Sequence, residues 1–156
     1  MDFVLSDNRD NVTYFGNGPE ENHIDMCHHS YLGLFSTTAQ AMHVPYPMPQ
    51  SCGNRTNTRL LSVTDGLGRG ILFIADTVFE FTASKYSEHA IKMAKHQWDL
   101  KADDRTYLHV DYKNSGVGSG SCGPFTLPKY LLNEKTFSYS FRILPTILED
   151  DPMKLI

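Results

Sequence analysis

A chain of 156 residues with 40% hydrophobic and 21% charged side chains has the size and composition of one globular domain with a sizeable core. Its net charge of −4 gives no electrostatic reason to expect nucleic acid or an anionic membrane as a partner. No run approaches the roughly 18 apolar residues of a membrane span. Three cysteines (Cys27, Cys52 and Cys122) are few and odd in number, which argues against a disulfide framework, and residues 1–10 lack the basic and apolar segments of a signal peptide. The expected setting is therefore reducing and cytoplasmic.

In chain order, residues 1–11 read as a lead-in. Residues 12–15 form a short β-type run that ends at the turn signal Gly16-Asn17-Gly18-Pro19. Residues 20–35 are polar and then aromatic, without clean periodicity. Pro45, Pro47 and Pro49 keep residues 43–53 out of helix and central strand, so an ordered, extended loop is expected. Residues 59–63 and 70–74 read as a hairpin around Thr64-Asp65-Gly66-Leu67-Gly68, and residues 78–81 as a further strand. Ser87 is placed as an N-cap with Glu88 in the first turn. Ala90, Ile91, Ala94 and Trp98 then share one face, which predicts a helix over residues 88–98. Phe137, Tyr139, Phe141 and Ile143 alternate with polar residues, predicting a half-buried strand over residues 136–144. Residues 146–156 read as an acidic tail. Many short strands, Gly/Pro turns and one helix predict an antiparallel all-β sandwich.

The richest stretch for function is Gly116-Val117-Gly118-Ser119-Gly120-Ser121-Cys122-Gly123-Pro124, where the backbone is free to turn tightly or approach a ligand. It is no phosphate loop, since the Lys-Ser/Thr ending is missing and Pro128 follows where a helix should start. It is no nucleophile elbow, since Ser119, Ser121 and Cys122 each lack glycine at both −2 and +2. Cys122 has no neighbouring charge in sequence to activate it. His23, Asp25, Cys27, His28 and His29 form the densest cluster of ligand-type residues but lack a second pair of zinc ligands, so polar loop histidines are the plain reading. Arg55 and Arg59 could grip a carboxylate or serve as ordinary surface residues. No two carboxylates stand out as the pair that a glycosidase requires.

The order of motifs resembles the C-terminal, small-chain domain of large multidomain β-galactosidases. The resemblance is carried by Tyr14-Phe15-Gly16-Asn17-Gly18-Pro19-Glu20-Glu21-Asn22, then Val44-Pro45-Tyr46 with Pro49-Gln50 and Gly53-Asn54-Arg55-Thr56. Phe81 to Ser87 with His96, Gly116-Val117-Gly118, Ser121, Gly123-Pro124, Tyr130-Leu131-Leu132 and Phe141-Arg142 follow in order. It spans about residues 12–145. It implies part of an antiparallel, mutarotase-like β-supersandwich with one short helix. It also implies that the catalytic glutamates, with Mg²⁺ and Na⁺, lie in a separate (β/α)8 domain or large subunit, so no cofactor is expected in this chain. The implied partners are that catalytic domain and a β-galactoside such as lactose, in an oligomeric assembly. The implied site is the aglycone side of the pocket, formed by Gly118, Gly120, Ser121 and Cys122. Cys122 stands where the family usually has an aromatic ring, Ser51 where it has Glu, Asn17 for Arg, His23 for Tyr and Met26 for Arg. Outside the resemblance, a free-standing carbohydrate-binding module is the alternative.

Overall fold

The structure is a computed structural model, and it describes residues 1–6, 9–118 and 123–147. It consists of one antiparallel sheet of seven strands with a short helix. The strands are β1 (Asp2–Leu5), β2 (Asn11–Gly18), β3 (Tyr31–Thr38), β4 (Arg55–Thr64), β5 (Gly70–Ser84), β6 (Thr106–Asp111) and β7 (Phe141–Thr146). The order across the sheet is β1-β6-β5-β4-β2-β3, and β7 also pairs with β5. The mostly β, antiparallel architecture with one helix is the one expected from the sequence.

Local boundaries differ, each for a physical reason. The expected lead-in contains β1, which pairs with β6 along Asp2–His109 to Leu5–Thr106. β2 runs on through Gly18, past the expected turn, because Gly16 and Gly18 still pair with Gly33 and Tyr31 of β3. β3 itself was hidden by its irregular pattern. The strands expected at 70–74 and 78–81 are one 15-residue strand. Its first half pairs with β7 (Ala75–Phe141 to Gly70–Thr146), and its second half pairs with β6 (Glu80–Asp111 to Ser84–Tyr107). Register shifts in β4 between Arg55 and Leu60 accompany the change of partner.

The helix α1 spans Glu88–Met93 and starts as expected, with the Ser87 hydroxyl accepting from the Ala90 N–H at 3.1 Å. It stops early because the Asp99 carboxylate takes the N–H groups of Lys95 and His96, at 3.1 and 2.9 Å, and caps a separate 3₁₀ turn at Gln97–Asp99. Trp98 is thereby left exposed, stacked on His96 at 4.4 Å. The strand expected at 136–144 pairs only from Phe141 onward. Before it, Phe137 stacks on Tyr112 at 4.8 Å, and the Tyr139 hydroxyl donates to the Val110 carbonyl at 3.0 Å. The alternation there serves an aromatic ladder rather than a strand ladder.

One face of the sheet carries the main core: Val12, Tyr14, Leu61, Val63, Phe73, Phe79, Phe81, Leu108 and Val110 are fully buried. The sheet curls enough for Phe3 of β1 to meet Phe73 of β5 edge-on at 5.1 Å. On the opposite face, the first half of β5 buries Leu72 and Ile74 beside Leu60 and Phe15. The second half buries Glu80 and Thr82 there instead.

Candidate functional site

Two buried carboxylates organise the polar face. Glu80 Oε2 accepts from Asn54 Nδ2 at 3.0 Å and from the backbone N–H and Nδ2 of Asn114 at 3.2 and 3.0 Å. Burial pushes its pKa up, and these donors only partly offset that. Glu21 Oε1 accepts from the Gly53 N–H at 3.1 Å and faces His23 Nε2 at 3.3 Å, while Oε2 accepts from the Tyr46 hydroxyl at 2.7 Å. Burial alone would raise its pKa, but together the hydrogen bonds from His23, Tyr46 and Gly53 prevail and lower it. The same geometry pushes Tyr46 up to about 12, through burial first and the Glu21 carboxylate second.

Asn22 joins these groups to the sheet. It is fully buried, and its Oδ1 accepts from the Thr56 N–H and hydroxyl at 3.0 and 2.5 Å. Its Nδ2 donates to the carbonyls of Asn17 and Glu20 at 3.1 and 2.9 Å. The proline-rich loop is ordered as expected, because Tyr46 and Gly53 at its two ends converge on Glu21.

The glycine-rich loop is fixed at its base. The Asp25 carboxylate accepts from two consecutive N–H groups, Val117 to Oδ1 at 3.0 Å and Gly118 to Oδ2 at 2.8 Å. A Cβ on Gly116 would lie 2.5 Å from the Asp25 carboxyl carbon, so only glycine permits this approach. Gly118 has φ +57°, and a Cβ there would lie 2.6 Å from Thr126 Oγ1. The Thr126 hydroxyl donates to the Gly116 carbonyl at 3.0 Å, and the Gly116 N–H donates to Tyr130 at 2.7 Å. The outgoing and returning arms are thus pinched together around Gly116–Gly118 and Thr126–Tyr130.

Two clefts open beside this base and share Ser51 and Val117. One, of about 360 Å³, runs past Cys52, Asn54, His109 and Asn114. The other, of about 470 Å³, reaches Glu21, Tyr46, Gln50 and Gly118. Of the four residues expected at the site, Gly118 lies at the mouth of the second cleft. Gly120, Ser121 and Cys122 lie outside the described residues.

The cluster at residues 23–29 is divided among other tasks. His23 faces Glu21, His29 Nε2 lies 2.8 Å from the Glu21 carbonyl, and Asp25 holds the glycine loop. Among the described residues no group of three or more His, Cys, Asp or Glu is arranged for a metal. Arg55 grips no carboxylate. It is buried, and it donates to the Tyr14 hydroxyl at 2.9 Å and to the carbonyls of Gly53 and Asn54. Arg59 lies over the Phe15 ring at 5.8 Å. Sequence reasoning missed Glu80, Asn114 and the role of Asp25. The only local signal was a lone acid in the apolar run Phe79-Glu80-Phe81.

The family described as "Beta galactosidase small chain" matches residues 1–143. The chain belongs to the β-galactosidase small-chain family. It is 33% identical over 142 residues to a protein named beta-galactosidase from Actinobacillus pleuropneumoniae, covering 91% of this chain and 14% of that relative. It is likewise 33% identical over 148 residues to the beta-galactosidase of Streptococcus thermophilus, covering 93% and 14%, and 35% identical over 135 residues to that of Vibrio vulnificus, covering 86% and 12%. This small-chain region therefore spans only about one seventh of the length of the relatives it matches. That a small chain implies a large one fits the family's description.

Proposed function

We propose that this region closes the aglycone side of a β-galactosidase active site that hydrolyses terminal β-galactosides such as lactose. In this reading the loop over residues 116–130 presents Gly118, Gly120, Ser121 and Cys122 to the leaving sugar, or to water and acceptor sugars in the second half-reaction. The observation that carries the proposal is the clamp of Asp25 on Val117 and Gly118, at 3.0 and 2.8 Å, which holds a glycine-rich loop at the edge of two polar clefts. A loop whose base is already fixed loses less freedom there when a sugar docks, which favours binding.

Among the described residues the buried carboxylates are committed to their own donors, Glu21 to Gly53 and Tyr46, Glu80 to Asn54 and Asn114, and Asp65 to Leu67 and Arg69. The acid/base and nucleophilic carboxylates of a retaining glycosidase are accordingly assigned to the (β/α)8 domain or large subunit, together with Mg²⁺ and Na⁺.

The test is complementation. A β-galactosidase lacking this region, supplied with this chain in trans or in fusion, should regain hydrolysis of lactose and of nitrophenyl galactoside. Failure with both would reject the assignment. Within the active assembly, Cys122→Trp should change KM in an aglycone-dependent way, and equal KM shifts for all aglycones would remove Cys122 from the sugar contact. Calorimetric binding of galactose or lactose to the chain alone, with no complementation, would favour a carbohydrate-binding module.

A further inference from the structure

Cys52 lies on the wall of the 360 Å³ cleft, partly exposed, and its sulfur is 3.5 Å from His43 Nδ1. The protonation pattern of this contact follows from its neighbours. Gln97 Nε2 donates to the Tyr46 carbonyl at 2.5 Å, which fixes the amide so that Gln97 Oε1 is the acceptor facing His43. His43 Nε2 lies 2.9 Å from that oxygen and must therefore carry the proton. In the neutral ring Nδ1 is then the free lone pair, and it points at the Cys52 thiol. The Val44 N–H donates to the same sulfur at 3.3 Å, and the Tyr86 ring packs edge-on against the imidazole at 4.8 Å. The Tyr86 hydroxyl is held in turn by Gln40 Nε2 at 3.1 Å. The result is a thiol with an oriented base, and a third residue that fixes the base.

We propose that Cys52 is a covalent modification site that exchanges with small disulfides, with His43 as proton acceptor and Gln97 as the residue positioning His43. In the exchange the Cys52 S–H proton passes to His43 Nδ1, and the Cys52 sulfur attacks one sulfur of the disulfide. The disulfide bond breaks, and the departing sulfur takes the proton back from His43. Cys52 is oxidised to a mixed disulfide and the small molecule is reduced to one thiol, so no further reagent is needed. Burial pushes the Cys52 thiol up, so it rests as S–H, and the base is required at the moment of attack. The cleft around it is lined by polar side chains, among them Glu88, Asp111, His23 and His109, so a small polar disulfide suits it.

Cys27 supplies an internal reference. It is exposed to a similar degree, but its thiol donates to the Ile24 carbonyl at 3.7 Å and has no imidazole partner. The full chain, treated with cystamine and followed by peptide mass spectrometry, should form the mixed disulfide at Cys52 at least about a hundredfold faster than at Cys27, the low end of what a positioned base supplies. His43→Gln should bring the Cys52 rate down to that of Cys27 and leave Cys27 unchanged. Gln97→Ala, in a half-exposed 3₁₀ turn, should lower the Cys52 rate with the circular dichroism spectrum unaltered. A Cys52 rate no greater than that of Cys27, or one indifferent to both substitutions, would overturn the proposal. Because the readout is a mass increment and not galactoside hydrolysis, the outcome is independent of the complementation result.

Discussion

The two halves of β5 share one inner face and differ on the other. Phe73 in the first half and Phe81 in the second point into the same apolar core, both fully buried. Behind Phe73 lie Leu72 and Ile74, while behind Phe81 lie Glu80 and Thr82. The first half is buried by apolar contact alone, which is non-directional and tolerates small displacements. The second half is buried only because Asn54 and Asn114 bring N–H groups to Glu80, and such contacts fail if a donor moves by an ångström. Burial of the polar half therefore fixes the positions of the loops that supply the donors, and these are the loops around the clefts.

Substitutions can separate the two halves. The largest effect is expected from Phe73→Ala, which should destabilise the fold by about 4 kcal/mol in urea unfolding. It should not alter the selectivity of any surviving sugar site. Next is Asn22→Ala, which strands the Thr56 N–H and hydroxyl and should cost about 2–3 kcal/mol. Unlike Phe73→Ala, it should also loosen the segment that carries Glu21 and Asp25, seen as faster amide exchange at Gly53 and Val117. Equal exchange in the two variants would mean that the polar half does not set its loops.

Asp25→Ala should change global stability little, because the clamp lies near the surface. In the active β-galactosidase assembly it should weaken acceptor binding by about fivefold, the worth of roughly 1 kcal/mol of lost hydrogen bonding. Hydrolysis of an aryl galactoside at saturation should be nearly unaffected.

The smallest effect, Glu80→Gln, is best read against pH. The raised pKa of Glu80 means that the folded protein takes up this proton more readily than the unfolded chain. Its contribution to stability therefore grows as pH falls from above the raised pKa toward the ordinary value of 4.5. Glu21, with its lowered pKa, contributes stability present above 4.5 and lost as pH falls through its folded-state pKa. Glu80→Gln should remove the rise above 4.5, leave the loss below it, and stay within about 1 kcal/mol of the parent at neutral pH. Urea midpoints measured from pH 3 to 8 would show whether the two windows separate.

The regular parts of this fold were readable in the sequence because their signals are local. Ser87 announces its own cap, three prolines announce an ordered loop, and the β-type run over residues 12–15 announces a strand. What could not be read depends on partners distant in the chain. β1 is too short to show a pattern, and it exists because β6 accepts it more than a hundred residues later. The helix ends where Asp99 captures two N–H groups, a competition invisible to periodicity. At the site, Gly116 and Gly118 were marked by composition, but Glu80 was not, and Asp25 was marked only as a ligand-type residue. A carboxylate that holds a loop has the same sequence appearance as one on the surface. Arg55 shows the converse, since a charge that could have gripped a carboxylate or sat at the surface or between domains lies buried against Tyr14.

The contact of Gly118 with Thr126 also bears on how this region can diverge. The two positions form a neck whose own hydrogen bonds run to Asp25, Gly116 and Tyr130. These partners lie in loops and turns and not in the seven strands, so a change of chain between Gly118 and Thr126 is not transmitted to the sheet through this neck. On the function proposed above, a library confined to residues 119–125 would sample new acceptor preferences.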